Sequence, residues 1–128
     1  MPGKGKVLVM DDEQIVLDVT HEVLKFLNYD VISATDGLAA IDLYKKEKSA
    51  GAPFDIVILD LSVSQGMGGK ETIEQLRKFD TGVKAVVSSG YTDDPVVQDF
   101  LHYGFCERLT KPYKIDDLKN LLEKLMKK

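Results

Sequence analysis

Short apolar runs alternate with segments of helical period along the whole chain, and this alternation limits the folds available to it. The first run is KVLVM at 6–10, and the most continuous is FDIVIL at 54–59. Near-continuous apolar strands separated by helices are typical of a parallel sheet that is covered on both faces. Because crossovers between parallel strands are right-handed, few topologies remain, and we expect a doubly wound five-stranded α/β sheet with strand order 2-1-3-4-5.

The sequence predicts five β-α units without an internal linker or repeat. Strands are expected at 6–10, 29–33, 54–59, 83–88 and 105–109, and helices at 14–27, from 37, at about 70–79, from 95 to about 103, and from 115. Asp36 and Asp94 are expected to cap the helices that follow them. On the second helix, Leu38, Ile41 and Tyr44 are expected to share one face.

The composition bounds the function classes that fit this chain. Its 128 residues are enough for one domain, 1–128, with 1–5 as an N-terminal tail. A net charge of −4 argues against nucleic-acid binding and against contact with an anionic membrane surface. The single cysteine excludes a disulfide framework within the chain. No apolar run approaches the roughly 20 residues of a membrane helix, so we expect a soluble cytoplasmic domain.

Polar side chains follow four of the five predicted strands. They are Asp11, Asp12 and Glu13 after the first strand, Asp60 after the third, Ser88 and Ser89 after the fourth, and Lys111 after the fifth. In doubly wound sheets, ligands bind beyond the carboxyl ends of the strands at the point where the strand order reverses. That point lies between the first and third strands here, so we expect these side chains to meet at one site.

Taken singly, these residues have ordinary explanations. Asp11 or Asp12 could cap the first helix, Lys111 could be a salt-bridge partner, and Ser89 could be a turn serine. Asp60 is poorly placed to cap a helix, because about nine loop residues separate it from the next one. Taken together, carboxylates from adjacent strand ends would repel one another, and Mg²⁺ would remove that repulsion. A metal facing a carboxylate, a hydroxyl and an ammonium group makes a site for a phosphoryl group.

Four separated motifs carry a family resemblance that covers the whole chain. VLVMDDE, IVILD with its following GMGG loop, VVSSGY and LTKPY together resemble a response-regulator receiver domain. The resemblance implies a (βα)5 flavodoxin-like fold. It also implies that Asp60 is the phosphoacceptor, that Ser89 is the switch hydroxyl, and that Lys111 is the family's invariant lysine.

The resemblance further implies a cofactor and a set of ligands for it. Mg²⁺ would be bound by Asp60, directly by Asp12, largely through water by Asp11, and by the backbone carbonyl of Ser62. The peptide bond between Lys111 and the proline that follows it is expected to be cis.

The function implied by the resemblance is Mg²⁺-dependent acceptance of a phosphoryl group from a phosphohistidine. The donor partner would be a histidine kinase or a histidine phosphotransfer domain, and the acyl phosphate would switch the face formed by helix 4, strand 5 and helix 5. Such a domain is not an enzyme toward other substrates, since it catalyses only its own phosphorylation and dephosphorylation. DLSVSQGMGGKE and SSGYTDDPV are also similar to receivers attached to hybrid sensor histidine kinases, so this chain could be covalently attached to a sensor kinase.

Four residues are expected to modulate the site, and two of them depart from the family pattern. Ser64 stands where the family usually has proline, so the loop loses a constraint on φ and gains a hydroxyl. Arg108 stands where a tyrosine or phenylalanine often turns inward, so output must be coupled through another element. Ser62 and Tyr91 should border the phosphoryl site, and Tyr91 is bulky enough to slow an attacking water. The open alternative is a non-phosphorylated interaction module with the same fold, although such a module would be expected to lose the acids, the hydroxyl and the lysine.

Overall fold

The computed structural model of the protein describes residues 4–64 and 66–127. Strands and helices alternate in the order β1 (Lys6–Met10), α1 (Gln14–Phe26), β2 (Asp30–Ala34), α2 (Gly37–Ser49), β3 (Ile56–Asp60), α3 (Gly69–Phe79), β4 (Ala85–Ser89), α4 (Pro95–Gln98), β5 (Glu107–Thr110) and α5 (Ile115–Met126). Every predicted element is present, and each strand begins and ends within two residues of its expected bounds. Within the described residues, no helix is both long enough and apolar enough to span a membrane.

The strands form one parallel sheet in the order β2-β1-β3-β4-β5, which confirms the predicted doubly wound topology. β3 lies at the centre of this sheet and is buried along its whole length, in agreement with its continuous apolar run. β2 lies at the edge and exposes Asp30 and Ser33. Because β1 pairs with both β2 and β3, the strand order reverses at β1, and the ligand crevice of such a sheet lies beyond the carboxyl ends of β1 and β3.

Helices cover both faces of the sheet and create two apolar cores. Successive residues of a strand point to opposite faces, so Leu8 and Leu59 pack in a core with α2 and α3. Their neighbours Val9 and Ile58 pack in the other core with α1 and α5. The central strands are therefore held between two helical layers, and the side chains at their ends are mounted on rigid elements.

Helix α2 begins at its predicted cap and buries a face that differs slightly from the prediction. The Asp36 carboxylate accepts a hydrogen bond from the Ala39 N–H at 2.9 Å. Ile41 and Tyr44 are buried, but Leu38 is 62% exposed. The buried positions 37, 40, 41 and 44 follow the helical period of 3.6 residues, and Leu38 lies outside that stripe.

Helix α4 also begins at its predicted cap, Asp94, but it is shorter than predicted. It ends at Gln98 rather than near Tyr103. Asp99 leaves the helical region with φ −117° and ψ 46°, consistent with the weak helix propensity of aspartate, whose side chain competes for backbone hydrogen bonds. The following turns close between backbone groups three residues apart, and Gly104, with φ +100°, ends them.

The first described residues are tied to the edge of the sheet. The Lys4 N–H donates to the Asn28 carbonyl at 2.8 Å, and the Asp30 N–H donates to the Gly5 carbonyl at 2.9 Å. The remainder of the predicted N-terminal tail, residues 1–3, lies outside the described residues.

Candidate functional site

A cleft of about 390 Å³ opens at the carboxyl ends of the central strands. Its lining residues are Glu13, Asp60, Ser62, Ser89, Gly90, Tyr91 and Lys111. These residues come from the ends of β1, β3, β4 and β5, the four strands that the sequence predicted to end in polar chemistry. The sheet topology therefore brings residues from distant parts of the chain to one site.

Asp60 is the last residue of β3 and is only 3% exposed. Its Oδ1 lies 3.1 Å from Lys111 Nζ and accepts the Ser62 N–H at 3.3 Å. The start of α3 approaches closely behind it, since a Cβ at Gly69 would lie 2.7 Å from the Asp60 carbonyl oxygen. Gly69 is thus needed for this close approach, and the strand and helix fix the Asp60 backbone from both sides.

Asp11, the first residue after β1, is completely buried and shares Lys111 with Asp60. Its Oδ1 accepts the Glu13 N–H at 2.9 Å, where α1 begins. Its Oδ2 lies 2.6 Å from Lys111 Nζ, and this contact has the geometry of an ion pair rather than that of an aligned hydrogen bond. Two buried carboxylates therefore share one ammonium group, which leaves negative charge uncompensated.

The ionisation of Asp60 and Lys111 follows from this crowding. Burial, and after it the negative charge of Asp11, raises the pKa of Asp60 to about 6 against the opposing effect of Lys111. Asp60 is therefore mostly ionised at neutral pH, as a nucleophilic carboxylate must be. Burial lowers the pKa of Lys111, but its contacts with Asp11 and Asp60 outweigh burial and raise that pKa overall. Lys111 consequently remains cationic.

Asp12 lies at the outer side of the acidic group and is bound by the loop that follows β3. Ser64 donates to Asp12 Oδ2 twice, from its backbone N–H at 2.9 Å and from its hydroxyl at 2.7 Å. These hydrogen bonds lower the pKa of Asp12. Ser64, one of the two residues that depart from the family pattern, thus contacts a predicted metal ligand and does not line the cleft around Asp60.

The donor set of the acidic group fits Mg²⁺. Ligand oxygens of Asp11, Asp12 and Asp60 lie within 4.8 Å of one another. Carboxylates are hard oxygen donors, and Mg²⁺ in phosphoryl sites is bound by one or two of them together with water and phosphate oxygens. The uncompensated negative charge beside Lys111 gives a dication a direct electrostatic reason to bind.

Hydroxyl groups and one aromatic ring border the cleft on the side of β4. Ser89, at the end of that strand, is 4% exposed, and its Oγ accepts the Tyr91 N–H at 3.0 Å. The Tyr91 side chain is 68% exposed. Ser62 is also exposed and follows Asp60 by two residues. The structure thus places Ser62 and Tyr91, two of the four predicted modulating residues, at the rim of the cleft.

A hydrogen bond that the sequence did not indicate holds the loop after β5 against β4. The side-chain hydroxyls of Ser88 and Tyr113 are hydrogen-bonded to each other. Burial raises the pKa of Tyr113 to about 12, so its hydroxyl stays protonated. Tyr113 follows the Lys111–Pro112 peptide bond, which is cis as expected.

Arg108 lies away from the cleft, exposed on β5. Its guanidinium group stands 5.8 Å from the centroid of the Phe100 ring, within the range of a cation–π contact. The structure therefore links β5 to the turns after α4 through this pair, at the position where the family often has an inward-turning aromatic residue.

An apolar groove of about 380 Å³ adjoins the cleft, between α1 and the loop after β5. On its α1 side, Ile15 is 78% exposed and Val19 is 53% exposed. Glu13 and Lys111 line both the groove and the cleft. The groove is thus continuous with the surface around Asp60, and it was not predicted from the sequence.

Comparison with known proteins agrees with this geometry. The response regulator receiver domain family matches residues 7–123. Sporulation initiation phosphotransferase F of Bacillus subtilis is 26% identical over 121 residues, which cover 94% of this chain and 93% of that protein. Two-component response regulator ARR10 of Arabidopsis thaliana is 28% identical over 127 residues, which cover 99% of this chain but 22% of that protein. The chain therefore spans nearly all of one relative and about a fifth of the other.

Solved structures of receiver domains share the fold. The CheX-CheY-BeF3-Mg+2 complex from Borrelia burgdorferi matches with a TM-score of 0.87 and 22% identity, covering 97% of this chain and 90% of that chain. Response regulator protein TrrA from Thermotoga maritima, in complex with Mg(2+)-BeF, matches with a TM-score of 0.79 and 26% identity, covering 94% of this chain and 98% of that chain. The chain therefore belongs to the response regulator receiver domains, the phosphoacceptor modules of two-component signalling.

Proposed function

We propose that Asp60 is the phosphoacceptor of a single receiver domain comprising residues 1–128. The observation that carries this proposal is the position of Asp60, at the end of the central strand and at the wall of the cleft, with Lys111 Nζ 3.1 Å from its Oδ1. A carboxylate on a rigid strand beside a fixed ammonium group is suited to attack phosphorus and to hold the product in place.

The transfer uses groups that the cleft already brings together. A carboxylate oxygen of Asp60 attacks the phosphorus of a phosphohistidine, so that a P–O bond forms while the P–N bond breaks and its electron pair leaves on the imidazole nitrogen. Lys111 stabilises the phosphoryl oxygens by its charge, and the Ser89 hydroxyl donates a hydrogen bond to one of them. In hydrolysis, water attacks the phosphorus and the Asp60 carboxylate leaves. The domain thus catalyses only its own phosphorylation and dephosphorylation.

The cofactor in this proposal is Mg²⁺, held by Asp11, Asp12, Asp60 and the backbone carbonyl of Ser62. When bound, it supplies positive charge beside the phosphoryl oxygens. Support comes from the three clustered carboxylates and from the excess of negative charge around Lys111. The Thermotoga relative, which is in complex with Mg(2+)-BeF, also supports a magnesium site of this kind.

The partner is a histidine kinase or a histidine phosphotransfer domain, and we place one of its helices in the apolar groove. A helix packed on Ile15 and Val19 would bury their exposed apolar surface. The groove shares Glu13 and Lys111 with the cleft, so a histidine on that helix would face Asp60. An Ile15→Asp variant should accept phosphate more slowly from a phosphohistidine protein, but at the wild-type rate from acetyl phosphate. Equal slowing with both donors would contradict this placement.

Phosphorylation switches the surface formed by α4, β5 and α5. The acyl phosphate draws Ser89 and the loops after β3 and β4 toward it, a ligand-biased equilibrium between two packings. Arg108 on Phe100 provides a contact on this surface that such a shift would break or remake. We further propose that the domain is cytoplasmic and that it is covalently attached to a sensor histidine kinase. The full open reading frame tests the attachment, because it would encode the kinase in the same chain.

The assignment of Asp60 is tested by labelling with a small phosphodonor. Wild-type protein incubated with Mg²⁺ and acetyl phosphate should gain one phosphoryl group by intact mass, and Asp60→Asn should gain none. The matched control Asp42→Asn changes an exposed carboxylate on α2 and should be labelled like wild type. Full labelling of Asp60→Asn would exclude Asp60 as acceptor.

Beryllium fluoride with Mg²⁺ discriminates the phosphoacceptor from a non-phosphorylated interaction module. In a phosphoacceptor, this phosphoryl mimic should shift the amide resonances of residues near Asp60. If acetyl phosphate does not phosphorylate wild-type protein, and beryllium fluoride with Mg²⁺ does not shift its resonances, the interaction module would be favoured instead.

A further inference from the structure

We propose that Ser64 is a positioning residue of the metal site, which holds the Asp12 carboxylate and the loop after β3 in the arrangement that Mg²⁺ requires. The inference rests on the magnesium binding proposed above and assigns to this serine a role in that binding. It concerns one of the two positions that depart from the family pattern expected from the sequence, and the role is carried by contacts between side chain, backbone and carboxylate.

Two donors of one residue converge on one oxygen. The Ser64 N–H and the Ser64 hydroxyl both donate to Asp12 Oδ2, at 2.9 Å and 2.7 Å, across 52 positions of the sequence. Two hydrogen bonds from different atoms fix both the direction and the rotation of a carboxylate. Asp12 is partly exposed, so without them its side chain would be free to turn toward solvent.

The pairing leaves the other oxygen of Asp12 for a cation. Mg²⁺ takes single oxygens from carboxylates and demands near-ideal octahedral geometry. Residues that hydrogen-bond to ligating carboxylates orient them for the metal. Because Ser64 donates two hydrogen bonds to Oδ2, we assign Oδ1 of Asp12 to the metal. Ligand oxygens of Asp11, Asp12 and Asp60 lie within 4.8 Å of one another, close enough to share one cation.

The same contact holds the loop that supplies another proposed ligand. Ser62, whose backbone carbonyl we assign to the metal, lies two residues before Ser64. Its N–H is already tied to Asp60, and Ser64 ties the next part of the loop to Asp12. Beyond Ser64, the Gly37 N–H donates to the Met67 carbonyl at 2.8 Å, so the loop is anchored at the N-terminus of α2 as well. Ser64 therefore lies between two fixed points.

Serine is suited to this role, whereas proline, the residue expected here from the family pattern, is not. Proline at this position would lack the N–H donor and the hydroxyl, and alanine would retain only the N–H. Threonine would keep both donors. These differences make a graded series of variants in which the hydrogen bonds to Asp12 are removed or restored while the carboxylates themselves remain.

The experiment is a magnesium titration of the metal-stripped protein, followed by amide chemical shifts in two-dimensional NMR. Ser64→Ala should raise the dissociation constant for Mg²⁺ about 10-fold, the low end of the effect of removing a partner that orients a metal ligand. Ser64→Thr should restore the wild-type constant. The matched control is Ser33→Ala, which removes an exposed hydroxyl on β2 and should bind Mg²⁺ like wild type.

A second readout separates positioning from a merely structural role. Ser64 is exposed, so the urea midpoint of Ser64→Ala in EDTA should equal that of wild type. A lowered midpoint with an unchanged dissociation constant would overturn the proposal, as would tighter binding by Ser64→Ala, since the hydrogen bonds would then compete with the metal. Absence of saturable Mg²⁺ binding by wild type would instead contradict the magnesium site itself, and this inference with it.

Discussion

Ionised Asp60 is expected to destabilise the metal-free fold, so Asp60→Asn should stabilise the protein in the absence of Mg²⁺. Burial and the charge of Asp11 raise the pKa of Asp60 from 3.8 to about 6, even though Lys111 opposes the shift. A rise of about two pH units means that the folded state disfavours the ionised form by about 3 kcal/mol. Asparagine has nearly the shape of the neutral acid and carries no charge, so the substitution removes this cost.

The gain should depend on pH in a defined direction. Between the unfolded pKa of 3.8 and the folded pKa of about 6, the folded state binds more protons than the unfolded state. The contribution of Asp60 to stability therefore falls as the pH rises through this interval. Below about pH 3 both states are mostly protonated and the cost is absent, whereas above about pH 7 it is almost fully present. The difference between Asp60→Asn and wild type should consequently grow over this range and then level off.

Urea unfolding of both proteins in EDTA, followed by circular dichroism across this pH range, measures that difference. In thermal unfolding, about 3 kcal/mol corresponds to a rise in Tm on the order of 10 °C for a domain of this length. The control Asp42→Asn, an exposed carboxylate on α2, should show no comparable gain. Addition of Mg²⁺ should stabilise wild type more than Asp60→Asn, because the variant has lost a ligand.

Two results would refute the reasoning. If Asp60→Asn is less stable than wild type without metal at about pH 8, the ion pair with Lys111 outweighs the cost of burying the charge. If the gain is the same at all pH values, it does not arise from the ionisation of Asp60. Either result would also mean that excess negative charge in the acidic group is not a reason for it to bind a dication.

The remaining predictions concern Tyr91 and Lys111, which line the cleft together with Asp60. Tyr91→Ala should speed the loss of phosphate, because the ring at the rim no longer hinders an in-line water. The decay of phosphorylated protein measures this rate, and equal decay rates in the variant and wild type would show that Tyr91 does not slow hydrolysis. Lys111→Met leaves Asp11 and Asp60 without their ammonium group and should cost about 3–5 kcal/mol in metal-free protein. Since Mg²⁺ would replace the lost charge, the deficit should shrink when it is added, and a deficit of equal size in Mg²⁺ and in EDTA would contradict this explanation.

The sheet could be predicted from sequence because its strands are short, apolar and separated by segments of a different period. The run Ile56–Asp60 could hardly be anything but a central strand, and its neighbours followed from the handedness of crossovers. Helix α4 could not be bounded in the same way. Its end at Gln98 depends on where the backbone of Asp99 departs from helical geometry, and a short helix has too few turns for a periodic pattern to show this.

The parts of the site that depend on strand ends could be predicted from the sequence. The parts that depend on exposed surfaces or on pairs of side chains could not. Asp60 and Lys111 lie where strands finish, and topology alone brings them together. The exposed stripe of Ile15 and Val19 was not recognised because α1 carries two apolar faces, and spacing alone does not tell which one packs on the sheet. The second face, which includes Leu17, is the buried one. Because α1 needs only one apolar face to pack on the sheet, the presence of a second apolar face was the signal that could have identified the groove.

The cost of ionising Asp60, the proposed acceptor, also explains why this carboxylate is tolerated on β3 rather than elsewhere in the sheet. A charge that disfavours the folded state by about 3 kcal/mol would loosen an edge strand such as β2, which is partly exposed and paired on one side only. β3 is paired on both sides, and its apolar residues are buried in both cores. The apolar run that precedes Asp60 therefore offsets the cost of the carboxylate at its end. The same negative charge that weakens the metal-free fold would bind the proposed cation, so we expect the stability of this domain and its magnesium affinity to be linked through Asp60.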